Sequence, residues 1–336
     1  MAYDVKVHID LAKPIGTVGF GVPLLLLERT TTAVEYTEVT NLEDVVTAGF
    51  AATTKVYKAA QLLFAQTHAP KTIAVCAVAT PAEEAISGTT LAEKGWRQLI
   101  VINDGDNAAT DVAAISTAVE GLEGKLYYAG LDIDDTTTIA TSGLRRTVLF
   151  YCDATDAVPV PEAALVGETA GRAAGSFTYK NLILSGVPAQ ELTDTEIDAI
   201  HKKGGITFVA KAGDNVTSEG KVAGGEFIDI IDSEDYIIQQ LTYKTQKVLN
   251  NTAKVPYDNN GIALLETVAV DVLQTAYNNG MIVTNEDGTP GYKVSYALRE
   301  NTSETDRANR LYIGGSFSFA LTGAIHQVEI TGSITV

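Results

Sequence analysis

Apolar and polar residues alternate most strictly at the two ends of the chain. Over 327–336, Gln327, Glu329, Thr331, Ser333 and Thr335 are polar while Val328, Ile330, Ile334 and Val336 are apolar, with Gly332 the one gap in the apolar row. Near the start, Val5, Val7, Ile9 and Leu11 alternate with Asp4, Lys6, His8 and Asp10. A period of two puts one face of a strand in water and the other against a sheet. Terminal residues fray unless something holds them, so both ends read as strand arms docked on a sheet. That sheet belongs either to the same subunit or to a neighbour, which an arm would join by adding to an exposed edge. At about 0.5–1.5 kcal/mol net per hydrogen bond, a short ladder contributes several kcal/mol per contact before ordering is counted.

Between the arms the periodicity switches repeatedly. A strand is expected at 17–28, a helix at 41–66 with Asn41 as its cap and Glu43 and Asp44 in its first turn, and a β-branched buried strand at 71–79. A short helix at 91–97, a strand at 98–102, a helix at 108–122 and strands at 125–129 and 146–152 follow, and Pro161 opens another helix. Strand and helix alternating at this spacing predict a doubly wound, mainly parallel sheet over 15–230. Gly167, Gly171 and Gly175 recur every four residues, a small-residue stripe for tight packing against the sheet or a neighbour. The sequence Thr193-Asp-Thr-Glu196 is a capping box, and a strand at 206–210 leads into a glycine-punctuated excursion at 213–225. A C-terminal α+β domain over 231–326 is expected to hold a helix at 233–250 and a second one that follows Asn259-Asn260-Gly261 and runs through Tyr277. A hairpin of 281–284 with 292–298 about Asn285-Glu-Asp-Gly288 should follow, then a charged link at 306–310 and a strand at 311–320. The arms are then 1–14 and 327–336.

Composition narrows the function classes. With 336 residues and 46% hydrophobic content the chain can bury one or two cores, and a formal net charge of -18 disfavours nucleic acid and anionic membrane, which demand a basic patch. Its longest apolar run, 21–27, is far shorter than the roughly twenty residues of a membrane span, and Asp4, Lys6 and Asp10 interrupt any signal-peptide core, so a cytoplasmic chain is expected. Cys76 and Cys152 sit in apolar strand patterns and give neither metal spacing nor a disulfide framework.

Catalytic chemistry has little to build on. The glycines at 16, 19 and 21 lack a phosphate-loop spacing, and the four histidines, His8, His68, His201 and His326, form no metal or nucleophile motif. Acidic loops at 103–107 and 132–135 lie where α/β folds bind ligands, but neither has the spacing of a calcium loop, and acidic residues commonly cap the helix that follows. No catalytic residue, cofactor or metal is expected, and the residues alone reach a self-assembling acidic α/β protein.

In their order along the chain, four runs resemble the contractile tail sheath proteins of myovirus-type phages and phage-tail-like bacteriocins. They are 177–186 (FTYKNLILSG), 192–206 (LTDTEIDAIHKKGGI), 306–310 (DRANR) and 314–326 (GGSFSFALTGAIH), the last followed by the closing strand. The likeness is strongest over 175–336 and architectural before that. It implies a structural subunit, not an enzyme, that polymerises as stacked hexameric rings around an inner tail tube, meets baseplate and tail terminator proteins, and contracts without nucleotide. The implied location is a virion tail or phage-tail-like particle assembled in a bacterial cytoplasm. On this resemblance Val5, Val7, Ile9, Val328, Ile330, Ile334 and Val336 are the interlocking rows, and Arg307 and Arg310 are candidates for touching the tube. A tail tube or capsid component, or an enzyme on an α/β scaffold, are the competing readings.

Overall fold

The computed structural model describes residues 21–103, 108–135 and 139–328. The expected N-terminal strand with Val5, Val7 and Ile9 lies outside these residues, as do Ile330, Ile334 and Val336 of the C-terminal one.

Strands β1 (Val22–Leu27), β2 (Val34–Val39), β3 (Ile73–Ala77), β4 (Trp96–Ile102), β5 (Leu126–Leu131), β6 (Thr147–Tyr151), β7 (Gly205–Lys211) and β8 (Asp214–Thr217) form one sheet in the order β2-β3-β1-β4-β5-β6-β7-β8. The strands from β3 to β7 in that order run parallel, and β2 and β8 close the edges antiparallel. Parallel strands covered on both faces read as continuous apolar runs, and β3 and β6 are buried at every position. Pro23 has no N–H to give a ladder, and the β1–β4 register shifts at that point, between Val22 and Leu24.

Each face of the sheet has its own core. Leu25, Val75, Ile100, Tyr128, Phe150 and Phe208 meet α1 (Leu42–Thr47), α2 (Lys55–Phe64) and, beyond α3 (Ala82–Ser87), α4 (Thr89–Ala92) and α5 (Ala108–Glu120), the helix α6 (Glu162–Ala170). On the opposite face Leu24, Leu26, Leu99, Tyr127 and Leu149 meet α3, α5 and α7 (Asp194–Lys202). A third, smaller cluster joins α8 (Ile228–Asn251), α9 (Asn259–Asn278) and the two-stranded antiparallel pair β9 (Tyr292–Tyr296) and β10 (Gly315–Phe319), with α10 (Glu304–Ala308) between those strands in sequence. The protein is therefore a mixed α/β fold with a largely parallel eight-stranded sheet and a C-terminal helical and β layer.

The caps follow the local sequence. Asn41 accepts from the Asp44 N–H, Thr193 and Glu196 make the reciprocal capping box, and Asp258 accepts from the Gly261 N–H. The single helix expected at 41–66 is two: α1 ends at Gly49, whose φ of +112° leaves the helical region, and Thr54 caps α2. The edge strand β2 was not expected, and the helix expected at 91–97 is displaced toward the N-terminus into α3 and α4. Trp96 and Arg97 instead begin β4, where the Trp96 Nε1–H donates to the Leu91 carbonyl at 2.8 Å. The glycine stripe packs helix on helix: a Cβ on Gly167 would lie 2.5 Å from the Leu63 carbonyl oxygen, and one on Gly171 2.1 Å from that of His68. In the C-terminal layer the turn at Asn285–Gly288 forms, with a bridge between Thr284 and Pro290, but β9 takes β10 and not 281–284 as its ladder partner. The latter segment instead bridges through Ile282 to Leu321.

Candidate functional site

In open α/β sheets a ligand favours the crevice outside the carboxyl ends of the strands where their order reverses. Here that place lies between β1 and β4, and the chain fills it with its own carboxylate. Glu28, 2% exposed, accepts from the Ala82 N–H at the start of α3 at 2.7 Å and from Asn103 Nδ2 at 2.9 Å. A negative side chain thus sits on the helix start that a ligand anion would otherwise use. In the neighbouring loops, Asp132 accepts from the Ala154 N–H at 3.1 Å and Asp153 from the Ile133 N–H at 2.8 Å, so these acids cap each other's loops. Among the described residues no group of three or more His, Cys, Asp or Glu is placed to hold a metal ion. Residues 104–107 of the first acidic loop are outside those described.

The histidines have local roles. His68 Nδ1 lies 2.6 Å from Glu168 Oε1, and Arg172 also binds that carboxylate, which is held below its usual range: burial opposes the shift, but Arg172 and His68 outweigh it. His201 Nε2 meets Ser218 Oγ at 2.9 Å, and burial pushes the imidazole down. Ser218 is 0% exposed and its oxygen takes the Thr207 N–H at 3.0 Å, so this pair offers no nucleophile to a substrate.

The densest polar cluster is at the other end of the sheet, where the strands begin. Arg97 is the second residue of β4, Lys125 and Arg146 immediately precede β5 and β6, and the first turns of α8 bring Asp232 and Asp235 beneath them. Arg97, 1% exposed, donates from Nη1 to Asp235 Oδ2 and to the Gly124 carbonyl, both at 2.8 Å, and from Nη2 to Asp232 Oδ1. Arg146 donates from Nη2 to Asp235 Oδ1 at 2.9 Å and from Nη1 to Oδ2. The Tyr179 hydroxyl donates to Asp232 Oδ2 at 2.6 Å and lies 3.3 Å from that of Tyr128. Burial would raise the Asp235 carboxyl, but Arg97 and Arg146 hold it below the usual range. Burial and then the Arg97 charge lower Lys125 to about 7, with its Nζ donating to the Lys94 and Trp96 carbonyls and lying 4.3 Å from the centre of the Trp96 ring. This cluster is a clamp: it fixes the helix that begins the C-terminal layer to the strand ends of the sheet.

That layer ends unfinished. Tyr292, Val294, Tyr296, Phe317 and Phe319 turn toward α8 and α9, yet none of the five is fully buried, and among the described residues the sheet stops at two strands. An isolated pair is marginal, because each strand has one row of N–H and C=O groups without a ladder. Beside the pair, Leu298, Leu311 and Ile313 are 45%, 50% and 68% exposed. Of the residues named for the tube, Arg307 sits in α10 and turns back, its Nη1 donating to the carbonyls of Arg299 and Thr302, while Arg310 is exposed with a φ of +56°. Val328 is 75% exposed.

Residues 228–334 match the family model described as E217 tail sheath protein gp31-like, C-terminal domain. No curated protein matches the sequence. Among solved structures, the 6-fold symmetrised anti-feeding prophage (AFP) baseplate aligns with a TM-score of 0.72 at 14% identity, over 99% of this chain and 98% of that one. The PVC sheath complex of an extracellular contractile injection system, in its contracted state, aligns at 0.70 and 11% identity over 99% and 98%. The sheath tail protein of Listeria innocua aligns at 0.59 and 12% identity over 83% and 89%. The matched family and the PVC and Listeria innocua structures are those of sheath proteins. The sheath likeness first read from the sequence therefore holds at two levels, by fold along nearly the whole chain and by family model across residues 228–334, from the clamped helix through the two-stranded pair.

Proposed function

We propose that this chain is the structural subunit of a contractile tail sheath. The reading is of stacked hexameric rings around an inner tail tube, contacting baseplate and tail terminator proteins in a virion tail or phage-tail-like particle assembled in a bacterial cytoplasm. The doubly wound sheet domain (15–230) is the outer body, 231–326 the inner domain, and 1–14 and 327–336 the arms. The observation that carries this is the sheet that, among the described residues, stops at two strands inside the very segment that matches a tail sheath C-terminal domain. A neighbour's arm, with Val5, Val7 and Ile9 or Val328, Ile330, Ile334 and Val336 facing the core, supplies what that pair lacks. Arg310, which is exposed, and the α10 segment carrying Arg307 are offered to the tube. Contraction then needs no nucleotide, because the extended polymer is kinetically trapped and triggering releases the difference between two packings of one subunit.

Negative-stain microscopy of the purified chain tests the reading. Striated hollow tubes support it, thin smooth tubes indicate a tube protein, and discrete particles indicate neither. Deleting 327–336 should leave a folded, soluble monomer; if the truncated chain still forms long tubes, the arm assignment falls.

A further inference from the structure

After Leu321 bridges to Ile282, the chain runs out into solvent: Ile325 is 84% exposed and Val328 75%. Between them His326 does the opposite. Its side chain is 12% exposed and is set into a socket on the sheet side of the molecule, not on the strand pair that precedes it. Thr178 Oγ1 lies 2.8 Å from Nε2, Glu219 Oε1 3.5 Å from Nδ1, and the Phe227 ring meets the imidazole edge to face at 4.9 Å between centroids. Lys221 stands over the same Phe227 ring at 4.9 Å. Three separate segments of chain thus converge on one side chain in an otherwise exposed tail.

The floor of the socket is what gives this weight. Phe227 is the N-cap residue of α8, the helix whose Asp232 and Asp235 are clamped to Arg97 and Arg146. A pull on the chain beyond 326 therefore reaches the large sheet core through Phe227 and the clamp.

We infer that His326 is the anchor of the C-terminal arm: a positioning residue that fixes where the arm leaves its own subunit and passes inter-subunit load into the sheet domain. This rests on the arm reading above for its purpose, but not for its test. In the purified full-length chain, exchange of the Thr322 amide, which donates to the Met281 carbonyl at 2.8 Å, should quicken roughly tenfold in His326→Ala while the amides of β4 and β6 change little, the loss being one hydrogen bond and one aromatic contact. His326→Gln, which can still reach Thr178, should restore much of the protection. Thr178→Val should reproduce part of the loss and add little on top of His326→Ala, since both act on one contact; it also serves if the alanine variant folds poorly. Unchanged exchange in both His326→Ala and Thr178→Val overturns the anchor, as does quickening spread evenly over the molecule. If the anchor holds, His326→Ala tubes form but are shorter and shed subunits sooner on dilution than wild-type tubes. Tubes from the chain lacking 327–336 would refute the arm reading while leaving the exchange result to stand or fall by itself.

Discussion

The sheet and the C-terminal layer solve the same problem to different degrees. In the sheet, β6 is buried at all five positions and both edges end in antiparallel strands; in the layer, β10 reads exposed or half-buried throughout and pairs only with β9 among the described residues. One is a finished hydrophobic body. The other, among the described residues, leaves its apolar side chains half-buried and the outer edge of each strand without a ladder partner. The clamp of Arg97, Arg146, Asp232 and Asp235 joins the two, so a rigid body presents an incomplete one.

The contrast breaks most sharply in the core. Phe150, 0% exposed, should cost about 3–5 kcal/mol on truncation to alanine, read by chemical denaturation, because a cavity opens against α6. Close behind is the clamp. Asp235→Ala strands Arg97 and Arg146 without a shared partner and should destabilise by about 3–5 kcal/mol, with faster exchange in the first turns of α8. A smaller result with protection of α8 intact would mean the layer is held by apolar contact alone.

A gentler, pH-dependent effect is expected inside the sheet domain. Burial raises Glu162 to about 7, the N–H groups of Glu162 and Gly130 only partly opposing it and Asp132 adding to it. A carboxyl raised in the folded state binds a proton that the unfolded chain has lost between its ordinary value of 4.5 and about 7, so stability falls as pH rises through that window. Glu162→Gln should therefore gain about 1–3 kcal/mol at pH 8 and little at pH 4, and an equal gain at both would refute the assignment. Smallest should be Phe317→Ala in β10. Being half-buried, it forfeits only about 1 kcal/mol in the monomer, yet the same change should hinder polymerisation far more if a neighbour covers this pair.

Most of the regular elements were legible before any coordinates. Leu24 to Leu26, Ile73 to Ala77 and Leu99 to Ile102 announce buried parallel strands, and Asn41, Thr193 with Glu196, and the acidic first turns announce helix starts. Misses occurred where the local signal was shared by two outcomes. The β2 sequence VEYTEV breaks its alternation at Thr37-Glu38, and the ladder with β3 shifts register between Val34 and Thr37, so it reads as a loop as readily as a strand; the 41–66 pattern keeps its apolar spacing across a break that Gly49 makes. Arg97 and Asp235 are 138 residues apart, and nothing near either one names the other. His326 looked like one more residue of a terminal strand until Thr178, Glu219 and Phe227 closed around it.

By itself, then, the sequence determined most of the strands and helices, the acidic and motif-poor composition, and the order of runs that resembles a sheath. These follow from periodicity, capping and composition, which act over a few residues or over the sum of all of them. Only the tertiary structure decided the strand order, that Glu28 stops the crevice at the β1–β4 switch, which helix the buried arginines hold, and that β9 pairs with β10. Such choices are set by packing and by the requirement that every buried charge find a partner, and that partner is found in space, at whatever distance along the chain.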